Sequence, residues 1–323
     1  MIKRLFIKNF KSIKDLEIEC KRVNIFIGEP NTGKSNIIES LGFLSYIAGY
    51  FYSWEDAIRI SRCVDLFCDQ NIKERITIKI NEIPFVIEYK NGQLCFNYEN
   101  QNFVISVPSI FSIPPIPSLN PDFRKKFQNI KFYRFKAKNE FPNENAEFLL
   151  PSGENLFTIL YTRPTLREII AGILKNYKII LELDPMTKQI SIGKIKEETI
   201  IFKFPYTLLS DTLQRVIYYV SAIKTNEHSL LIFEEPESNA FPYYTKYLAE
   251  TIAIDGKNQY FITTHNPYFL LSLTEKIEKR DINIFITYLT EGRTETKILS
   301  DKKIEEMLDY EKDIFLNIED FLE

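Results

Sequence analysis

The sequence predicts an α/β fold in which a mixed sheet is flanked by helices and an antiparallel β insert is added to the core. A short apolar run at residues 23–27 leads through a glycine-containing loop into a run with helical spacing, which predicts a strand, a loop and a helix. Two further apolar runs, at residues 229–233 and 260–264, predict more buried strands. Residues 75–107 alternate between polar and apolar side chains, and this period of two is typical of antiparallel strands.

The composition is that of a globular protein, with 45% hydrophobic and 26% charged residues in a chain of 323 residues. No apolar run approaches the ~20 residues needed to cross a bilayer, and the N-terminus has no cleavage signature, so we expect a cytoplasmic protein with no membrane partner. The four cysteines form no CxxC pair, which predicts reduced thiols rather than disulfides or a zinc site. Because the net charge is −3, any contact with nucleic acid must use a local basic patch.

The loop after the first buried strand fits the pattern G-x-x-x-x-G-K-[ST], the phosphate-binding P-loop. Its context is suitable, because the backbone N–H groups and the dipole at a helix N-terminus attract phosphate. In such a loop Lys34 reaches the β- and γ-phosphates of ATP, and the Ser35 hydroxyl ligates Mg²⁺. The predicted nucleotide-binding residues of the loop are Gly28, Glu29, Pro30, Asn31, Thr32, Gly33, Lys34, Ser35 and Asn36.

The elements around this loop are predicted from periodicity. Strands are expected at residues 2–8 and 13–20, and the helix after the loop is expected to end near residue 49. Residues 53–69 begin with a capping sequence at Ser53 and are predicted to be helical, with Trp54 and Phe67 in the core.

The β insert is predicted to contain three strands, at residues 75–80, 85–89 and 93–98. Asn91-Gly92 between the second and third strands is a strong hairpin-turn signal. The proline-rich residues 108–121 that follow cannot form a central strand and are predicted to be a surface connection or a hinge.

The next segment, residues 123–139, is the most basic part of the chain and contains no acidic residue until position 140. Its cations are Arg124, Lys125, Lys126, Lys131, Arg134, Lys136 and Lys138, and its interleaved aromatics are Phe127, Phe132, Tyr133 and Phe135. Basic residues mixed with aromatics are typical of single-stranded nucleic-acid sites. An ordinary strand with inward aromatics and solvated lysines has the same composition, so both interpretations stay open.

The second half of the chain is predicted to alternate between helices and strands. Helices are expected at residues 152–176, 208–223 and 243–254, and strands at residues 178–183, 189–193, 199–204, 229–233, 260–264 and 283–289. The acidic residues from Asp301 onward are helix-like. We therefore expect an ATPase core made of residues 1–70 and 205–323, with residues 71–204 as an insert or lid. The sequence shows no heptad pattern, so no coiled-coil arm is predicted.

Three polar side chains follow the later buried strands. Glu234 and Glu235 end the run Leu230–Phe233, and His265 follows Phe261–Thr264. A hydrolysing triphosphate site needs a metal-holding carboxylate, a group that positions the attacking water, and a γ-phosphate sensor. These residues could supply all three. His228, in contrast, is interpreted as an ordinary surface or core histidine.

The order of these motifs resembles the ABC-type ATPases, specifically the SMC-like branch that includes the OLD-family ATPases. The matching segments are Leu5–Ile13, Gly28–Ser35, Leu209–Arg215, Leu230–Glu237 with Pro242, and Ile262–Pro267. The resemblance implies a P-loop ATPase head that hydrolyses ATP and forms a face-to-tail homodimer, with each ATP between one P-loop and the partner's signature helix. It implies that Ser210 contacts the partner's γ-phosphate, that Glu234 holds Mg²⁺, and that Glu235 acts as base while His265 senses the γ-phosphate.

The sequence departs from that pattern in three places. The segment Ser210-Asp211-Thr212 contains no glycine, Glu234 stands where aspartate is more common, and the expected glutamine loop has only Gln70 as a candidate. The segment after His265 is also too short for the nuclease domain of OLD-family proteins, so any nuclease activity is expected to belong to a partner.

Four functions remain open from the sequence. The first is an SMC- or OLD-like ATPase that drives a conformational switch in a partner protein or on DNA. The second is an ATP-gated nucleic-acid-binding module for repair or anti-phage defence, which acts with a separate effector. A transporter ATPase subunit and an ATP-gated module without hydrolysis are the remaining alternatives.

Overall fold

Two units divide the chain in the computed structural model, which describes residues 1–51, 54–99, 101–107, 109–111, 124–196, 200–309 and 313–322. The first unit contains residues 1–132, 228–235 and 256–323. The second unit contains residues 133–227 and 236–255.

The described strands, in chain order, are β1 (Arg4–Phe10), β2 (Ile13–Glu19), β3 (Val23–Ile27), β4 (Ile76–Ile80), β5 (Ile83–Lys90), β6 (Gln93–Tyr98), β7 (Gln101–Ser106), β8 (Ile130–Tyr133), β9 (Ile179–Asp184), β10 (Gln189–Lys196), β11 (Ile200–Pro205), β12 (Leu230–Glu234), β13 (Gln259–Thr263), β14 (Ile282–Thr290) and β15 (Arg293–Ile298). The described helices are α1 (Lys34–Ile47), α2 (Trp54–Ala57), α3 (Leu156–Thr162), α4 (Pro164–Lys175), α5 (Asp211–Thr225), α6 (Pro242–Ile254), α7 (Pro267–Thr274), α8 (Asp301–Asp309) and α9 (Ile318–Leu322).

The sheet that carries the P-loop has the strand order β15-β14-β3-β13-β12-β8 within the described part of the chain. Strand β3 lies between β14 and β13 and is parallel to both, and β12 is parallel to β13. All five residues of β3 are buried, which explains its continuous apolar sequence. Glu234 is in register with Thr263, which is in register with Phe26, so three parallel strands end at one edge of the sheet.

The second sheet of the first unit is antiparallel, with the order β2-β1-β4-β5-β6-β7 among the described strands. Strand β4 pairs with β1, so the strands predicted as an insert extend a sheet that begins at the N-terminus. The boundary expected after residue 70 therefore does not separate two sheets. Asn91 and Gly92 have φ values of 51° and 76° between β5 and β6, and this confirms the predicted hairpin turn.

Helix α1 is buried along almost its whole length, from Ile37 to Ile47. The hydrophobic core of the first unit combines its apolar side chains with residues of both sheets, such as Ile7 and Phe85 from the antiparallel sheet and Phe261 from the P-loop sheet. Burial on all sides explains why the sequence of α1 shows no single apolar stripe.

The long helix predicted for residues 53–69 is wrong. Among the described residues of this segment, only Trp54–Ala57 forms an α-helical turn, and Cys63–Leu66 and Cys68–Gln70 form two 3₁₀ turns. Asp69 and Gln70 have φ values of 53° and 55°, which a continuing right-handed helix cannot contain. Ser53 and nearly all of the proline-rich loop, residues 108 and 112–121, lie outside the described residues.

The second unit has a sheet with the order β11-β10-β9 among its described strands, together with helices α3 to α6. The predicted strands and the long helix near residues 208–223 are confirmed with small changes in their bounds. A buried hydroxyl joins distant segments here, because the Tyr133 Oη donates to the Leu149 carbonyl oxygen at 2.5 Å and accepts from Asn226 Nδ2 at 2.8 Å.

Three of the four aromatic rings named in the basic and aromatic stretch are buried, and the fourth, that of Phe135, is half-buried. Phe127, Phe132 and Tyr133 are buried, and Phe135 packs edge-on against Tyr218. Lys131 is also buried, and Lys126 pairs with Glu99. Nucleic-acid bases stack on exposed rings, so the buried rings cannot serve a single-stranded nucleic-acid site in this way. Phe123 lies outside the described residues.

Within the described ranges, no helix is both long and apolar enough to cross a membrane.

Candidate functional site

The glycines of the P-loop are required by its close packing against strands β14 and β15. Gly28 and Gly33 have φ values of 146° and 97°. A Cβ atom on Gly28 would lie 2.2 Å from the carbonyl oxygen of Thr287, and one on Gly33 would lie 2.0 Å from Oγ1 of Thr294. A larger residue at Gly28 would therefore have to displace the backbone of β14, and one at Gly33 would have to displace the Thr294 side chain.

Lys34 begins helix α1 and is buried beneath the loop. Its Nζ atom donates to the carbonyl oxygens of Gly28 at 2.9 Å and Glu29 at 2.7 Å, so the side chain folds back along the loop. Burial lowers the pKa of Lys34 to about 8, although the carboxylates of Glu235 and Glu29 act to raise it. This lysine is thus close to the end of strand β12 as well as to the P-loop.

The remaining loop residues differ in their exposure to solvent. Glu29, Pro30 and Asn31 are exposed, Thr32 is buried and donates to the Glu29 carbonyl oxygen at 2.9 Å, and Ser35 is half-buried in the first turn of α1.

Asn36 serves the packing of the loop. Its Nδ2 atom donates to Ser12 Oγ at 2.6 Å, and Ser12 Oγ lies 2.6 Å from Oγ1 of Thr294. The turn between β1 and β2 therefore contacts both the P-loop helix and strand β15.

The two carboxylates at the end of β12 have different partners. Strand pairing ends at Glu234, whose Oε1 accepts a hydrogen bond from the Arg59 guanidinium. Glu235 has a φ of 42°, which turns it out of the strand, and its N–H donates to the Thr263 carbonyl oxygen at 3.0 Å. Its Oε1 lies 3.2 Å from Nε2 of His265. The predicted base and the predicted sensor are therefore direct neighbours.

His265 is held by the short connection between β13 and α7. Asn266 caps α7 by accepting from the Phe269 N–H at 3.1 Å, and its own N–H donates to Thr264 Oγ1 at 3.0 Å. Pro267 occupies the first helical position, where its missing N–H costs nothing. The capped helix start thus fixes the backbone on both sides of the histidine.

Three charged residues next to the site were not predicted. Glu39 of α1 is fully buried and accepts from Lys11 Nζ at 2.5 Å and from Arg59 Nε at 2.9 Å. Burial alone would raise the pKa of Glu39, but the two cations outweigh it and hold this pKa below its usual value. The only sequence signal for this buried ion-pair cluster was a glutamate in the middle of an apolar helix.

The oxygen donors at this edge suit a hard divalent cation such as Mg²⁺. The Ser35 hydroxyl and the Glu234 carboxylate are the types of ligand that Mg²⁺ prefers. Glu234 already has a cation beside it, the Arg59 guanidinium, which shows that this carboxylate accepts a positive charge. The donor set therefore fits the metal expected from the sequence.

Ser210 and Gln70, the other candidates, have local roles in the structure. Ser210 is the exposed N-cap of α5, and its hydroxyl accepts from the Leu213 N–H at 3.4 Å. Gln70 is exposed, and its Nε2 lies 3.4 Å from Asp65 Oδ1.

A family model described as "AAA domain, putative AbiEii toxin, Type IV TA system" matches residues 23–272. A protein of Helicobacter pylori named "ATP/GTP phosphatase" is 25% identical over 340 aligned residues, which cover 87% of this chain and 90% of that protein. The "DNA replication and repair protein RecF" of Clostridium kluyveri is 28% identical over 152 residues, covering 42% of this chain and 40% of that protein.

Solved structures of SMC heads have the same fold. A structure of an SMC head bound to the C-terminal winged-helix domain of ScpA superposes with a TM-score of 0.62 and 14% identity, covering 94% of this chain and 99% of that one. The SMC head of Pyrococcus furiosus, bound to the C-terminal domain of ScpA, gives a TM-score of 0.53 and 13% identity, covering 95% and 98%. The predicted P-loop fold with an ABC-like head is therefore confirmed.

Proposed function

The chain belongs to the AAA-domain family whose model matches residues 23–272 and is a P-loop ATPase, and on this premise we propose that it uses ATP to join two copies into a dimer that switches a partner. The observation that carries the hydrolytic part of this proposal is the contact between His265 Nε2 and Glu235 Oε1 at 3.2 Å, at the sheet edge where the P-loop strand also ends.

The nucleotide binds with its phosphates in the P-loop. The N–H groups at the start of α1 point toward the phosphates, and Lys34 leaves the carbonyl oxygens of Gly28 and Glu29 to contact the β- and γ-phosphates. Ser35 and Glu234 would hold a Mg²⁺ ion, which would neutralise charge that develops on the phosphate oxygens.

Glu235 and His265 act on the γ-phosphate side. Glu235 accepts a proton from the attacking water, and His265 donates a hydrogen bond to the γ-phosphate. Both side chains are 41% exposed, so water and phosphate can reach them. Their mutual contact keeps the base oriented until the nucleotide gives the histidine a second partner.

The second side of each nucleotide comes from another copy of the chain. Ser210 offers a hydroxyl at the start of the 15-residue helix α5, and a helix N-terminus attracts an anion through its free N–H groups. Ser210 is exposed, as a residue that contacts a partner must be in the separate chain.

The partner that responds to this dimer is a protein or DNA. The SMC heads of similar fold were solved with domains of ScpA, which favours a protein partner by analogy. The partial similarity to a DNA replication and repair protein favours the alternative, an ATP-gated nucleic-acid-binding module for repair or anti-phage defence. The H. pylori relative is named for both ATP and GTP, so GTP is a second substrate to examine.

The deciding experiment measures ATP turnover and oligomeric state together, with and without DNA. We expect turnover above background and a dimer that forms only with ATP. A chain that stays monomeric with ATP contradicts the dimer, and turnover at background level contradicts the catalytic roles. Stimulation of turnover by DNA selects the nucleic-acid alternative, whereas indifference to DNA leaves the protein partner.

A further inference from the structure

Arg59 connects a buried glutamate to the carboxylate proposed as metal ligand. Its Nε donates to Glu39 Oε1 at 2.9 Å, and its terminal Nη2 contacts Glu234 Oε1. Glu39 is 0% exposed and Glu234 is 12% exposed, whereas the arginine side chain is 58% exposed. One guanidinium therefore links helix α1 with the end of strand β12 from the solvent side.

Glu39 holds this arginine from beneath. Its second oxygen accepts from Lys11 Nζ at 2.5 Å, and the same ammonium donates to the Arg59 carbonyl oxygen at 2.9 Å. Lys11 and Glu39 thus fix both the backbone and the Nε atom of Arg59. The terminal nitrogens, being farthest from the anchor, are the part of the side chain that can change partner.

Charge explains why Glu234 needs this neighbour. Glu234 and Glu235 are consecutive, and Glu235 also acts electrostatically on Arg59 and Lys34. Two carboxylates at one sheet edge repel each other, and a nearby cation offsets the repulsion. A divalent cation would offset it in the same way, so the guanidinium and the metal are alternatives at the same oxygen.

We propose that Arg59 is the resting counter-ion of Glu234, positioned by Glu39, and that a divalent cation binds there only when Arg59 releases the carboxylate. This inference rests on the proposed metal role of Glu234. The phosphates of a nucleotide give the freed guanidinium a new partner, because arginine binds phosphate well. Metal and nucleotide therefore bind with positive coupling, and the chain without nucleotide holds the metal weakly.

The experiment is a titration of the nucleotide-free full chain with Mn²⁺, with free Mn²⁺ measured by electron paramagnetic resonance. We expect Arg59→Gln to bind Mn²⁺ about tenfold more tightly than the wild type, since a positive charge next to the ligand is removed. Adding Glu234→Gln to that variant should abolish the gain. Arg62→Gln is the matched control, because Arg62 pairs with Asp65 in the same segment and should leave the affinity unchanged.

Glu39 is tested by two variants. Glu39→Gln keeps the size of the side chain but weakens its hold on Arg59, so Mn²⁺ affinity should rise toward that of Arg59→Gln, while Glu39→Asp should change it less. Thermal unfolding checks the fold of each variant, and the Arg59 variants decide the question if Glu39→Gln does not fold.

The outcomes separate this inference from the proposed function. If Arg59→Gln binds Mn²⁺ no better than the wild type, while Glu234→Gln weakens binding of the Mn²⁺–ATP complex, the counter-ion role is wrong and the metal role stands. If Glu234→Gln leaves binding of that complex unchanged, the metal role itself fails, and the inference fails with it.

Discussion

The Nε2 atom of His265 lies 3.2 Å from Oε1 of Glu235, and the Glu235 N–H also donates to the carbonyl oxygen of Thr263, on the strand that leads to the histidine. Backbone and side-chain contacts thus connect the same two chain segments. The ends of neighbouring parallel strands β12 and β13 therefore hold the two groups as a single unit, and each should affect the other when changed.

Replacing Glu235→Gln tests the proposed base. The amide keeps the size of the side chain but cannot accept the proton of the attacking water, so we expect turnover to fall by roughly a hundredfold or more. ATP affinity should remain unchanged. ATP-bound dimers should accumulate, and light scattering measures them. Rapid turnover by this variant would assign the base elsewhere.

Replacing His265→Gln tests the γ-phosphate contact. Loss of the donor should lower kcat by about tenfold to a hundredfold, with a smaller effect on ATP affinity. His228→Asn is the control, because this exposed histidine has a φ of 51°, which asparagine tolerates. Steady-state kinetics of both variants check the expectation, and equal losses in the two would remove the special role of His265.

The pKa of Lys34 predicts a pH dependence of nucleotide affinity. This pKa lies at about 8, so the ammonium is charged at lower pH and neutral at higher pH. The charged form binds phosphate, and ATP affinity should therefore fall by about tenfold between about pH 7.5 and about pH 9. Calorimetric titration across this range measures it. Lys34→Arg stays charged, so it should bind ATP more weakly but with an affinity that does not fall over this pH range. A wild-type affinity that is independent of pH would contradict the prediction.

Gly33→Ala should destabilise the P-loop by more than the cost of backbone strain alone. A positive φ costs a non-glycine residue about 1–2 kcal/mol, and the collision with Thr294 adds roughly 1–3 kcal/mol. Gly292→Ala is a matched control, since Gly292 has a φ of 77° but open space around its Cβ position. Denaturant unfolding and ATP binding should therefore separate the two variants, with only Gly33→Ala losing nucleotide affinity. Similar behaviour of both would show that packing against β15 is unimportant.

Ser210→Asp separates helix capping from phosphate contact. Aspartate caps a helix as well as serine does, so the unfolding free energy should stay within about 0.5 kcal/mol of the wild type. Its negative charge would repel the partner's γ-phosphate, so ATP should still bind the single chain but no longer produce a dimer. Sedimentation with ATP measures this, and an unchanged dimer would exclude Ser210 from the shared site.

Local patterns predicted the strands that carry the site. Strand β3 was predicted with its observed bounds, and β12 and β13 were shifted by about one residue, because short buried strands have an unbroken apolar sequence. Strands β7 and β15 and helix α7 were missed. Strand β15 reads Arg-Thr-Glu-Thr-Lys-Ile, and its polar residues belong to a strand only because β14 pairs with it along six positions.

The sequence suggested the motif residues of the candidate site, but it did not suggest the side chains that form ion pairs beside them. Glu39, Arg59 and Lys11 come from three separate segments, and their ion pairs exist only after helix α1, the β1–β2 turn and the segment after α2 have met. The aromatic residues of the basic stretch show the opposite case. Composition alone could not decide whether Phe132 faces solvent or core, and the packing of the first unit decided it.

The position of β3 between β13 and β14 has a consequence for synthesis of the chain. Phe26 is in register with Thr263 on one side and Phe285 on the other. Both partners lie far later in the sequence, so the P-loop strand leaves the ribosome long before either neighbouring strand has been synthesised. Such distant pairing slows folding and leaves an apolar strand exposed in the nascent chain. The part of the candidate site that is translated first is thus among the last to become competent. Growing chains that end before about the middle of β14 should bind no nucleotide.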